Sequence, residues 1–220
     1  MTTKIARLAP LSGVAFVLTM IGIVALEGDE VPDSATAQQV LAHWADRSDT
    51  RLVLTTLAAC AALFLVVFAA SLRSTLRSRE HAEASASAVA FGGGVIAAGA
   101  ILISGLVSLS AARAGGDGAV DAVVTLDHLA QSTWLPVTGG LGVMMLASGV
   151  GGIYSGALPK LVSWAAVLLG LLLLTPGGLI GFLLSPLWII AVSVIAYRRT
   201  SRYVATTDRD TVVTAEGADR

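Results

Sequence analysis

Leu52-Val53-Leu54-Thr55-Thr56-Leu57-Ala58-Ala59-Cys60-Ala61-Ala62-Leu63-Phe64-Leu65-Val66-Val67-Phe68-Ala69-Ala70-Ser71-Leu72 is the stretch that decides the fold of this 220-residue chain. No Asp, Glu, Lys, Arg or His interrupts it. A bilayer core about 30 Å thick takes about 20 apolar residues at 1.5 Å rise each, so the stretch is long enough to cross as one helix. In lipid an unpaired backbone amide costs several kcal/mol, which leaves helices and closed barrels as spanning structures. A barrel strand alternates with period two over about ten residues. Leu52–Leu72 does not alternate, so it reads as a helix.

Working outward, five further runs share this character, at about 8–26, 86–112, 134–157, 161–175 and 179–197, the last two within spans of about 159–175 and 178–197. Hydrophobic residues make up 55% of the chain, with mean hydropathy +0.80. Charged residues make up 13%, against about 25% in soluble domains. The expected fold class is all-α, a polytopic membrane bundle of six transmembrane helices within residues 1–203. The polar tail 204–220 lacks helical periodicity and is expected to be disordered and cytoplasmic.

Basic residues gather at Lys4 and Arg7, at Arg73, Arg77 and Arg79, at Lys160, and at Arg198, Arg199 and Arg202. The alternate connections carry Glu27, Asp29, Glu30, Asp33, Asp46, Asp49, Asp117, Asp121 and Asp127, with Arg47, Arg51 and Arg113 as their basic minority. Cytoplasmic loops are the ones enriched in Lys and Arg, so both termini are expected inside. Lys4 and Arg7 before the first run also suit a signal peptide, but its length and the absence of paired small residues near Ala25 favour a retained helix. Arg outnumbers Lys, and Ala, Gly and Val dominate. That usage fits a GC-rich bacterial genome, hence a bacterial plasma membrane.

Two connections are long enough for structure. In the first, Val31-Pro32-Asp33-Ser34 reads as a turn with Asp33 or Ser34 as N-cap. A short helix follows at about 34–46, with Val40, Leu41 and Trp44 on one face. Such a helix lies on the outer leaflet with Trp44 at headgroup depth. The second connection repeats the plan, with Gly115-Gly116-Asp117-Gly118 and then a helix at about 119–131. Leu41-Ala42-His43-Trp44-Ala45 and Leu126-Asp127-His128-Leu129-Ala130 share L-x-H-x-A, which suggests either a duplicated hairpin or coincidence. Pro176-Gly177-Gly178 reads as a tight outer turn.

The spans hold no ionisable residue, which argues against proton pumps and proton-coupled exchangers. Cys60 is the sole cysteine, so two-cysteine redox chemistry is excluded. There is no G-x-S-x-G elbow and no phosphate-binding loop, and no catalytic residues are assigned. Small residues recur at four-residue spacing: Ala86, Ala90, Gly94 and Ala98; Ser148, Gly152 and Gly156; Gly177 and Gly181. Such stripes let helix backbones approach closely, within one chain or between copies.

His43 and His128 stand on the two outer helices. With Asp127, Asp46 or Asp49 they could hold zinc or copper, or ligate haem; otherwise they are polar interfacial side chains. Their separation matches no metal-binding motif, so no cofactor is assigned. His81 beside Arg79 and Glu80 reads as solvated.

Arg7-Leu8-Ala9-Pro10-Leu11-Ser12-Gly13 opening the first run, Gly28-Asp29 through Pro32-Asp33, Leu72-Arg73-Ser74-Thr75-Leu76-Arg77, Leu158-Pro159-Lys160, and Pro186-Leu187-Trp188 through Arg198-Arg199 together resemble six-helix bacterial membrane proteins of a domain-of-unknown-function family, common in actinobacteria. The resemblance spans most of the chain and implies fold and location, with no activity. The first functional expectation is a non-enzymatic accessory component, in the lipid bilayer with a membrane-protein partner or as a homo-oligomer, and with no nucleic acid. The second is a carrier or binding protein for a lipidic or neutral small molecule held beneath the outer helices. The third is a metal- or haem-binding protein using His43 and His128.

Overall fold

The computed structural model describes residues 8–28, 35–46, 48–79 and 85–218, with the backbone alone for 48, 49 and 199–218. Asp33 and Ser34, Arg47 and the His81 segment lie outside these residues. The described residues are helical with short turns and contain no strand. A 3-10 turn at Ala9–Leu11 leads into α1 (Ser12–Glu27). Then come α2 (Ala37–Asp46), α3 (Ser48–Arg77), α4 (Ala86–Gly116), α5 (Val120–Ser132), α6 (Trp134–Ser155), α7 (Lys160–Leu173) and α8 (Gly178–Ala218).

Five stretches are long and apolar enough to cross a membrane, at Ala9–Glu27, Thr50–Arg77, Ala86–Gly116, Val120–Ser155 and Gly178–Arg198. The helix α7 is shorter, 14 residues, which at 1.5 Å rise is about 21 Å. Large apolar side chains stand on the outside of the bundle, among them Leu18, Ile21 and Val24 on α1, Leu161 and Leu168 on α7, and Leu183 and Leu187 on α8. An outer surface of that kind is compatible with an integral membrane protein.

Several polar side chains within the helices close on their own backbone. Thr19, Thr56, Ser110 and Ser148 each donate to the carbonyl four residues back, at 2.8, 2.9, 2.9 and 2.5 Å. That bond satisfies a hydroxyl without a partner helix or water. Pro186 inside α8 has no N–H for the Phe182 carbonyl. The Ser185 hydroxyl supplies the missing donor to that oxygen at 2.8 Å.

Helix ends follow local chemistry. Gln39 Oε1 accepts from Thr36 N at 2.8 Å, and Gln39 N donates to Thr36 O at 2.9 Å, so Thr36 opens α2 later than the Asp33 or Ser34 expected from sequence. Between α5 and α6 the break is one residue, Thr133; two residues into α6, Pro136 cannot donate to the Ser132 carbonyl. Gly156 ends α6 in the left-handed region at φ 64°. It is exposed, so of the small residues singled out it terminates a helix instead of packing one. Gly177 lies in the turn before α8, not within the helix. The backbone of α8 continues as helix through Ala218, across the tail expected to be irregular. The tail holds no proline to stop a helix already nucleated ahead of it.

Successive helices pack side by side: α1 on α3, α3 on α4, α4 on α6, α6 on α7, α7 on α8, and α8 back on α1. The ring encloses a core that includes Phe68, Leu65, Leu72, Leu141, Met144 and Ile189. Glycine sets how closely some of these pairs approach. A methyl group placed on Gly140 of α6 would stand 2.5 Å from the Ala97 nitrogen and 2.8 Å from the Gly93 carbonyl oxygen of α4. One on Gly93 would stand 2.6 Å from the Met144 nitrogen and 2.7 Å from the Gly140 oxygen. The two backbones therefore touch each other, the arrangement small residues permit in lipid. Gly94 instead meets the side chains of Ala69 and Met144, and Gly152 those of Ser163 and Leu158 on the α7 side. Ala90, Ala98, Ser148 and Gly181 are buried within the chain, and half-buried Ala86 lies against Gly151.

Candidate functional site

The helices α2 and α5 form a cap over one end of the ring, where α1, α4 and α7 finish and α3, α6 and α8 begin. A small second core of Val40, Trp44, Ala111, Ala112 and Val123 fastens both cap helices to the last turns of α4. Gly115 lets α2 lie against α4, since a methyl there would come within 2.9 Å of the Ala45 nitrogen. Trp44 is thus 4% exposed and turned inward against α4 and α5. Its indole Nε1 donates to Asp127 Oδ1 of α5 at 3.0 Å, while Gln131 Nε2 donates to Asp127 Oδ2 at 3.0 Å.

Beneath the cap lies a cavity of about 530 Å³ reached from α1, α2, α3, α4, α5, α6 and α8. Glu27, His43, Arg51, Ser108, Asp127 and Gln131 surround its upper part. Deeper along the same helices come Met20 and Ile23, Leu54 and Ala58, Ile101, and Val137. From Arg51 to Ala58 the descent is about 10 Å at 1.5 Å per residue. The lining therefore runs from charged to apolar along the bundle axis. Trp134 and Phe182 complete the wall as an edge-to-face pair with ring centroids 4.4 Å apart. Trp134 also lines the cavity while 38% exposed, so at this place the wall is one aromatic layer thick.

Arg51 is the charged residue that sequence reasoning passed over as part of an outer-loop minority. It occupies the first turn of α3 and is 5% exposed. Its guanidinium carbon lies 4.5 Å from the centre of the Trp44 ring, a cation–π contact. One guanidinium nitrogen faces Glu27 Oε1, at the end of α1, at 3.4 Å. Four elements meet through this chain of contacts, from Glu27 through Arg51 and Trp44 to Asp127. The only sequence signal was an arginine directly abutting an apolar run.

The two outer histidines do not share an environment. His43 is half-buried, lines the cavity and meets Trp44 edge-on at 5.8 Å between ring centroids. His128 is exposed and does not line it. Among the described residues no group of three His, Cys, Asp or Glu side chains is placed to hold a metal ion. The shared L-x-H-x-A pattern thus puts its histidines in two different settings.

No family model, no curated protein and no solved structure matches the chain.

Proposed function

We propose that the chain is a six-span integral membrane protein that binds a small amphiphilic molecule in the cavity beneath its cap, acting as a carrier or binding protein and not as an enzyme. The observation that carries this reading is the gradient of the lining, from Arg51, Glu27 and Asp127 above to Leu54, Ile101 and Val137 below. The volume of about 530 Å³ falls in the range of about 300–1,000 Å³ typical of small-molecule sites. A purely accessory role, the first expectation from sequence, gives no reason for a lined interior at the cap.

The sixth span in this reading is α7, which at about 21 Å is short for the bilayer and is met by local thinning. Arg73, Arg77, Arg79, Lys160 and Arg198 lie at the end opposite the cap, and Glu27, Asp46, Asp117, Asp121 and Asp127 at the cap end. That asymmetry supports cytoplasmic termini and an outward-facing cap. The bacterial plasma membrane, and kinship with the six-helix family of unassigned function, rest on composition and on the motifs quoted above.

The test is native mass spectrometry of the protein released from membranes in a mild detergent. One bound amphiphile per chain is expected on the wild type and none on Ser104→Phe, which fills the middle of the cavity. A bare wild-type chain, or the same adduct on both proteins, overturns the reading.

A further inference from the structure

Resting on that reading, we infer that the ligand is a bilayer lipid of the cap-side leaflet, one acyl chain of which enters the cavity sideways between α6 and α8, past Trp134 and Phe182. Of the apolar side chains that line the cavity among the described residues, Trp134 alone is exposed. It therefore separates the interior from the outside by the thickness of its own ring. Phe182 meets that ring edge-to-face, with centroids 4.4 Å apart. The outer surface around the pair is apolar: Leu135 is 73% exposed, Leu179 62% and Leu183 66%. Such a surface fits hydrocarbon as its solvent.

The gap follows from the shortness of α7. Leu174, just past its end, lies against Gly142, eight residues along α6 from Trp134. That is about 12 Å at 1.5 Å per residue. Beyond this level α7 no longer separates α6 from α8, and the ring pair closes the wall. Two other walls and the cap are closed more firmly. The α4–α6 side is backbone against backbone at Gly93 and Gly140, and on the α3–α4 side the Thr55 hydroxyl donates to the Gly105 carbonyl at 3.0 Å. The cap is fastened by its own core and by the Trp44–Asp127 bond. Parting Trp134 from Phe182 breaks a ring contact and no backbone seam. An acyl chain carried through water exposes its whole apolar surface, whereas one that slips between two helices stays in hydrocarbon. Trp134 opens α6, at the membrane boundary where tryptophan is enriched. The lipid head thus keeps its ordinary depth while the chain descends along Leu54, Ala58, Ile101 and Val137.

The experiment reconstitutes the full chain in phosphatidylcholine nanodiscs, a fraction of the lipid carrying a diazirine on one acyl chain. Illumination after increasing delays is followed by peptide mass spectrometry to map the labelled residues. Leu54, Ala58, Ile101 and Val137 are at most 7% exposed, so label there reports a chain inside the cavity. Leu65 and Leu72, buried in the core but not lining the cavity, should stay unlabelled. Trp134→Ala and Phe182→Leu remove the ring contact and should speed cavity labelling about 2- to 12-fold, the worth of one edge-to-face pair. Trp164→Ala, at an exposed tryptophan of α7 that does not line the cavity, should leave the rate unchanged. Cavity labelling at the wild-type rate in both ring variants, or equal labelling of Leu65 and Leu72, overturns the route. No cavity labelling, with an amphiphile still seen in native mass spectrometry and lost in Ser104→Phe, overturns the lipid and leaves the cavity reading intact. No labelling together with a bare chain sinks both.

Discussion

Exchanging Gly140 for Ala tests the backbone seam between α4 and α6, and Gly139 provides its own control one residue away. The added methyl at 140 would lie 2.5 Å from a backbone nitrogen and 2.8 Å from a backbone oxygen, while at 139 it would meet nothing within 4 Å. Heavy atoms rest at about 3.5–4.0 Å, so the helices must part by about 1 Å at the seam. Neither obstacle is a side chain that could rotate away. Overpacking of this kind costs about 1–3 kcal/mol. Each substitution also gains helix propensity of up to about 1 kcal/mol, and that gain cancels between the two variants. Gly139→Ala should therefore match or exceed the wild type, with Gly140→Ala about 2 kcal/mol below it. At about 2–4 °C per kcal/mol for a chain of this size, the melting temperatures should differ by about 4–8 °C. Thermal unfolding in a mild detergent reads this directly. Equal melting temperatures for the two variants would refute a backbone-to-backbone seam at this position.

Other outcomes follow from single contacts. Trp44→Phe keeps the aromatic ring but removes the donor to Asp127; loss of a bond to a charged group should cost the cap about 1.5–3 kcal/mol and show as faster hydrogen exchange across α5. Ser163 and Ser193 are buried hydroxyls with no hydrogen-bond partner, so Ser163→Ala and Ser193→Ala should be neutral or stabilising by up to about 1 kcal/mol in the same melting assay. Ser185→Ala leaves the Phe182 carbonyl without the donor that Pro186 cannot give, and should lower stability by about 1–3 kcal/mol. His43→Ala should weaken binding of a cavity ligand and His128→Ala should not, since His43 alone of the pair lines the cavity.

Much of the helical layout is readable from the chain because lipid solubility and helix-breaking chemistry are local properties. Leu52–Leu72, the Pro176-Gly177-Gly178 turn and the two short helices between runs all announce themselves within a few residues. The functional positions do not. Trp44 and Asp127 are 83 residues apart, and nothing near either one announces the bond between them. Arg51 reads as an ordinary charge at a membrane boundary until α1 and α2 are seen to close over it. The histidines attracted notice because a shared pattern suggested equivalence, yet equivalence depends on which side of α2 and α5 faces the bundle. The exposed φ 64° of Gly156 likewise cannot be told from a packing glycine by spacing alone.

The α4–α6 seam divides the cavity into two mechanical halves. Ile101, Ser104, Gly105 and Ser108 on one helix, and Trp134 and Val137 on the other, are carried by backbones in direct contact, so this half behaves as a rigid mould. Met20, Ile23 and Glu27 on α1 and Phe182 on α8 form the other half, and where α1 passes α8 at Gly13 the close neighbours are side chains, Ser193 and Ile189, not backbone. On the proposed binding function, discrimination of ligand shape would fall to α4 and α6.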